Sequence, residues 1–515
     1  MARRVNLAHL YNPQILEKDE LTENFVVRLD IFKRLYQEIS TVGMKYPEQH
    51  YVIQGNQGTG KTTLLLRLSY AVENDPSLRD WLVPIVFNEE EYGIRRLYKL
   101  WLRLAELLGE KQECFRNLGE VMKELSQQFP EDDEFERAAF KLLSDSLHRE
   151  QKKIILFIDN FGDMLSKFNK DEAHRLRKIL QTSADLRIFA ASSRTIEAFH
   201  DYKHPFYEFF KIEYLKGLNH EQTEELLLKL GERYQLKDFT STLQQQRGRI
   251  EVMRRLTGGV IRQMVILFEV LVKEKNTDAF ELLECLLDRS TPLYKNRMDK
   301  LPPQQQEIVE AIAHRWDAVS VKEISERTRM GSKIISAQLN QLVKSEVVFK
   351  IHTTTKNHLY RIKDRFFNIW YLVRLARNGS IGRVQRLVNF LDYWCSRPAV
   401  GPDSDSTAPA SADYFNQYLP QLADSDTALS QVLPQLCPEI MGLMAQQQYP
   451  PLLAFFNAQD AQGRSIADQL KPLYYALMQE RKEEFPNEYL RMGEELESTV
   501  EEILVQVQSQ QARRA

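Results

Sequence analysis

Apolar and polar positions repeat along this chain with two periods, and the points where one gives way to the other mark its elements. Residues 25–40 place Ile31, Leu35 and Ile39 at helical spacing. Tyr51, Val52 and Ile53 then form a short apolar run, and after a glycine-rich stretch Leu64, Leu65, Leu68, Ala71 and Val72 recur at three- and four-residue intervals. The order is helix, strand, loop, helix. Residues 82–87 read as a second strand and 93–108 as a long amphipathic helix. The stretch 110–150 is helical, broken at Phe129-Pro130 ahead of the acidic run 131–134, whose carboxylates suit the positive end of a helix dipole. Residues 154–158 are continuously apolar, as a parallel strand buried on both faces is, and end in Asp159; residues 186–191 repeat the pattern and end in Ser192-Ser193-Arg194.

From Gly217 the pattern becomes helical throughout. Asn219 is an N-cap with Glu221 and Glu224 in the turns after it, and Gly258-Gly259 breaks the run before a helix near Val260 that carries Arg262 in its first turn. These helices hold too little apolar surface for a core of their own and are expected to fold as a lid over the preceding domain. Leu301-Pro302-Pro303 marks a boundary. Beyond it three short helices bury Ile308, Val309 and Ile312, then Val321 and Ile324, then Ile335, Leu339 and Leu342, with Ser320 as a cap and Arg329-Met330-Gly331 as a turn. Strands at 347–351 and 359–362 flank residues 353–357 as a wing. In 365–377, Phe366, Ile369, Trp370 and Val373 form a packing stripe. Residues 399–412 have the composition of a mobile linker, and the helices from there to Val507, with aromatic faces such as Phe455-Phe456 and Tyr474-Tyr475, are expected to cap the fold or bind a protein partner. The expected domains are 1–215, 216–290, 291–386 and 387–515.

Composition narrows the class. Of 515 residues 43% are apolar and 10% aromatic, which suits a folded soluble chain. The four cysteines are far apart and form no CxxC pair, so neither a zinc site nor a disulfide framework is expected. No apolar run is long enough to cross a bilayer and the N-terminus lacks a signal-peptide core, so no membrane association and a cytoplasmic setting are expected. The net charge of −3 conceals a division: residues 291–386 hold 18 Lys and Arg against 8 Asp and Glu, and residues 387–515 hold 8 against 18. The middle of the chain is basic and its tail acidic.

The candidate chemistry centres on residues 55–63, GNQGTGKTT. They fit GxxxxGK[ST], with Gly55, Gly60, Lys61 and Thr62 in the fixed places between a strand and a helix. Along Gly55, Asn56, Gln57, Gly58, Thr59, Gly60, Lys61, Thr62 and Thr63, backbone N–H groups can converge on phosphates; Lys61 adds a point charge, and the Thr62 hydroxyl can coordinate Mg²⁺. Asp159, at the carboxyl end of a buried strand, is the second metal ligand expected. Asn160 follows it. An amide can hydrogen-bond a water but cannot accept its proton, so slow hydrolysis is expected. Arg194 is placed to form a charge-assisted bond to the γ-phosphate. No NKxD-like stretch ends a core strand, which favours ATP over a guanine nucleotide. In the basic segment, Lys333, Ser336, Asn340 and Lys344 give the third helix a polar face for a major groove, and Lys350, Lys356 and Arg361 would reach phosphates from the wing. A role as an interdomain hinge stays open beside it.

The order of Phe25-Val26-Val27-Arg28, GNQGTGKTT, IILFIDN, the strand tip ASSR, helices with GGVIR and a winged-helix candidate resembles the AAA+ and STAND-type P-loop ATPases. The likeness is to the branch of archaeal-type ATPases and origin-recognition initiators. It implies an α/β fold: a P-loop NTPase three-layer parallel sheet with a helical lid, followed by winged-helix and all-α C-terminal domains. It further implies catalytic roles for Lys61, Asp159, Asn160 and Arg194, nucleotide contacts from Arg28 near the adenine and from Arg262 in the lid, and ATP with Mg²⁺ as cofactors. Val27 and Leu29 stand where the family has Gly and an acid, Ile261 where it often has Pro, and Asn160 where it has a second acid. The reading reached is an ATP-binding molecular switch, slow as an ATPase, that rearranges the basic module. Candidate partners are double-stranded DNA, a protein partner and further copies in a nucleotide-dependent oligomer. Two others stay open: a DNA-binding regulator with nucleotide as structural ligand, and an active ATP-driven DNA remodeller.

Overall fold

The computed structural model describes residues 16–87, 93–193, 199, 202, 204–273, 278–375, 380–397, 412–423, 426–460 and 462–514. The chain divides into two compact units, Met1–Gly217 and Leu218–Ala515.

The first unit is built on five strands: β1 (Tyr51–Gly55), β2 (Leu82–Phe87), β3 (Lys153–Ile158), β4 (Leu186–Ser192) and β5 (Lys211–Leu215). They lie in the order β2-β3-β4-β1-β5, every pairing parallel. Side chains of a strand alternate between faces, so continuously apolar strands feed two cores at once. Ile154, Leu156, Ile158, Ile188 and Ala190 face one layer, with Leu97, Leu100, Trp101 and Leu104. Ile155, Phe157, Phe189 and Ala191 face the other, with Leu64, Leu65, Leu68, Leu35 and Ile39. The three-layer parallel sheet expected from the sequence is present. Helix Asp132–Arg149 begins in the acidic run, with Asp132, Asp133 and Glu134 in its first turn. Strand β5 has no counterpart in the sequence reading.

His50, just ahead of β1, ties this sheet to a helix. It is 2% exposed; its Nδ1 accepts from Ile188 N at 3.0 Å, which leaves Nε2 as the protonated nitrogen, donating to Leu180 O at 3.1 Å. Burial, and then the Arg187 charge, lower its pKa from 6.5 to about 4. A depressed folded pKa places the stabilisation above pH 6.5 and removes it as pH falls towards 4, by about 3 kcal/mol at most. Urea midpoints of the first unit measured at pH 7 and pH 4.5 should show this loss, and His50→Asn should remove most of the His50-linked part of the difference.

In the second unit, Gly258 and Gly259 both lie at φ +64, and a Cβ on Gly259 would come within 2.3 Å of Leu218 O. The Leu218 N–H donates to Gly259 O at 2.8 Å, so the double glycine lets the two segments touch backbone to backbone. Helices Pro303–Arg315, Val321–Thr328 and Ser332–Lys344 follow. The second is capped by Ser320 in a reciprocal box with Glu323. With them is a three-stranded antiparallel sheet of β6 (Val319–Ser320), β7 (Val348–Ile351) and β8 (Leu359–Ile362), ordered β6-β8-β7. The tail is helical, ending in Glu494–Arg514, whose Leu496, Val500, Ile503 and Val507 are buried. Of the stretch read as a linker, residues 399–411 lie outside the described residues. No described helix is long and apolar enough to cross a membrane.

Candidate nucleotide site

The loop after β1 is shaped by three glycines. A Cβ on Gly55 would meet Leu215 O at 2.6 Å and Thr59 Oγ1 at 3.0 Å, so the close approach of β1 to β5 at the loop's root excludes any side chain there. Gly58 and Gly60 have φ of +85 and +90, which L side chains rarely adopt. Thr59 closes the turn: its Oγ1 donates to Asn56 O at 2.8 Å. Helix Lys61–Asn74 starts immediately after, and the loop's backbone leads into its N-terminus, where unpaired N–H groups favour anions.

Lys61 is 6% exposed, and its Nζ donates to Gly55 O and Asn56 O, both at 2.9 Å. The ammonium is thereby held over the start of the loop. Strand β4 lies between β1 and β3, so the carboxyl ends of the three strands share one edge, and Asp159 follows β3 there. Thr62 Oγ1 donates to Asp159 Oδ2 at 2.5 Å, and Asn160 N donates to Asp159 Oδ1 at 2.9 Å. Asp159 is 8% exposed. Residues 97 positions apart thus set a hydroxyl and a carboxylate side by side at the loop, the oxygen donors a hard cation prefers. Asn160 takes the left-handed conformation at φ +48, which Asn and Asp adopt more readily than other side chains. Ser192 is buried at the end of β4 and Ser193 half-buried after it; Arg194 lies outside the described residues.

The first unit has the P-loop NTPase fold. No family model and no curated protein matches the chain. Among solved structures it is similar to the Walker-type ATPase of Pyrococcus abyssi, at 17% identity over 67% of this chain and 97% of that one, with a TM-score of 0.45. It is also similar to the Aeropyrum pernix ORC1 protein in complex with DNA, at 13% identity over 70% and 95%, TM-score 0.43. The A. pernix ORC2 protein, described in its ADPNP-ADP complexes, matches at 13% over 75% and 97%, TM-score 0.42. Strand order and loop geometry in the chain itself, rather than these likenesses, carry the fold.

Two of the arginines singled out in the sequence are held by the chain's own backbone. Arg28, expected beside an adenine, sits at φ +63, is 6% exposed, and donates from its guanidinium to Lys216 O. Burial lowers its pKa, with Asp30 opposing. Its side chain serves the chain's own backbone, and Nε has no partner. Arg361, expected on phosphates, is 7% exposed; it donates to Met492 O at 2.7 Å and pairs with Glu494. A guanidinium so enclosed cannot reach a duplex, which corrects the sequence reading. Lys333, Ser336, Asn340, Lys344 and Lys356 are exposed, Lys350 half-buried, and Arg262 half-buried in the first turn of Ile261–Lys273.

Arg361 belongs to a larger arrangement that the sequence reading missed. Arg365 Nε and Nη2 donate to Glu495 at 2.8 and 2.9 Å, and Trp316 Nε1 adds a third bond at 2.6 Å. Arg255 reaches Thr499 at 2.6 Å and Glu502 at 2.6 Å. Glu495, Thr499 and Glu502 are spaced i, i+4, i+7 beside the apolar seam of the last helix, the one signal that could have marked them as inward-facing. The basic surplus of residues 291–386 is therefore partly internal: Arg361, Arg365 and Arg383 pair with Glu494, Glu495 and Asp468 of the acidic tail.

Proposed function

We propose that the chain is an ATP-binding molecular switch in which ATP with Mg²⁺, and its slow hydrolysis, rearranges the basic module of the second unit, read as a winged helix, to engage DNA. The observation that carries this is the Thr62–Asp159 hydrogen bond at the mouth of the glycine loop, with Lys61 held beside it. The backbone of residues 55–63 would bind the phosphates and Lys61 would add its charge; Thr62 and Asp159 would hold Mg²⁺. The cation, when bound, neutralises phosphate charge. Asn160 would orient a water without taking its proton, and Arg194 and Arg262 would sense the phosphates. Lys333, Ser336, Asn340, Lys344, Lys350 and Lys356 would meet duplex DNA.

Asn160→Asp tests the catalytic part, because Asp tolerates the same left-handed backbone while adding a carboxylate. Turnover should rise on the order of 10²-fold, the lower end of what a general base contributes. Unchanged turnover with unchanged ATP affinity would contradict the role given to Asn160. The exposed face of helix Ser332–Lys344, which carries Lys333, Ser336, Asn340 and Lys344, also favours a second reading: a DNA-binding regulator that keeps nucleotide as a structural ligand. Duplex binding lost in Lys333→Ala and Lys344→Ala but indifferent to Lys61→Ala would select it.

A further inference from the structure

No group of three or more His, Cys, Asp or Glu able to hold a metal occurs among the described residues, yet the ring spacing of one pair of histidines is that of two ligands on a single ion. Strands β7 and β8 pair with Ile351 opposite Leu359, so the next residues outward, His352 and His358, face each other across the mouth of the hairpin. Their ring centroids are 4.9 Å apart with planes at 64°. A zinc–nitrogen bond of about 2.0–2.1 Å plus about 1.1 Å from nitrogen to ring centre puts each centroid about 3.2 Å from a shared ion, and a tetrahedral angle then separates the centroids by about 5 Å. The observed spacing matches.

We propose that His352 and His358 form a two-imidazole site for a borderline divalent transition ion such as Zn²⁺ or Cu²⁺, with solvent completing the coordination. Two further observations fit. His358 Nδ1 is enclosed and lacks a protein partner. The hairpin tip is held by its own threonines, Thr353 Oγ1 donating to Asn357 O at 3.0 Å and Thr355 Oγ1 accepting from Asn357 N at 3.2 Å, so the two rings are carried on an ordered frame. Imidazole ligands select such ions over Mg²⁺, so this site and the phosphate loop draw on different metals.

The test titrates the full chain, without nucleotide, with ZnCl₂ by calorimetry and with CuSO₄ by electron paramagnetic resonance. Zinc should bind saturably at one equivalent, and His352→Gln or His358→Gln should each weaken it by about tenfold or more. The copper spectrum should show two coordinated nitrogens in the wild type and one in either variant. Zinc affinity unchanged in the double variant H352Q/H358Q, with eight of the ten histidines still present, would overturn the proposal, as would a wild-type copper spectrum of a single nitrogen.

Discussion

Glu495→Ala lowers the stability of the second unit by about 3–5 kcal/mol, read as a shift in the urea midpoint of its unfolding transition. Arg365 and Glu495 are 6% and 3% exposed, and the carboxylate takes two bonds from the guanidinium and one from the Trp316 indole. Removing it leaves the Arg365 cation buried without a counter-ion, its bonds to Asn368 Oδ1 and Trp316 O being to neutral groups, and leaves the Trp316 indole N–H without an acceptor, and that loss exceeds the worth of the pair itself. Replacing both ends at once with apolar groups of similar volume, Arg365→Met with Glu495→Leu, should recover most of the stability, since no charge is then stranded. Burial opposes ionisation of Glu495, but Arg365 and Trp316 more than offset it and hold the carboxyl at about 2. Its contribution is thus complete above about pH 4.5 and is lost as pH falls towards 2. Equal midpoints for wild type and Glu495→Ala would mean that the pair does not hold the unit together.

Lys61→Ala weakens ATP binding by roughly ten- to 150-fold, the equivalent of a charge-assisted contact worth about 1.5–3 kcal/mol. The ammonium is buried against Gly55 O and Asn56 O, so its loss also removes two bonds within the loop. Thermal midpoints without nucleotide separate the two effects. A variant that keeps the wild-type midpoint but loses the ATP-dependent rise in it has lost the contact to phosphate and not the loop. A wild-type dissociation constant in Lys61→Ala would remove the loop from any account of nucleotide binding.

Legibility of the sequence followed the range of the interaction. Ile154 to Ile158 announced a buried strand because both of its faces are covered, and GNQGTGKTT was readable because a strand precedes it and an apolar helix follows. Strand β5 escaped because an edge strand needs little apolar surface: Lys211 and Tyr214 are exposed and Leu215 alone is buried. Arg361 looked like a wing contact because the residue that occupies it, Glu494, lies 133 positions away. A separation of 130 positions likewise hid the ion pair of Arg365, where Glu495 sits in an acidic run that resembles a solvated helix start. A surplus of charge along a stretch of sequence is therefore not yet a surface: Lys333 and Lys344 remain available to solvent, while three arginines of that stretch pair with the tail.

The proposed switch couples nucleotide binding to DNA binding, and such coupling is reciprocal by thermodynamic necessity. The most direct measurement is the dissociation constant for a duplex at one fixed salt concentration, without nucleotide and with saturating ATP and Mg²⁺ in the Asn160→Ala background to limit turnover. A change of at least about fivefold, absent when Lys61→Ala is added and ATP is raised only to the level that saturates the parent, is the result expected. Identical duplex affinity with and without ATP would contradict the switch.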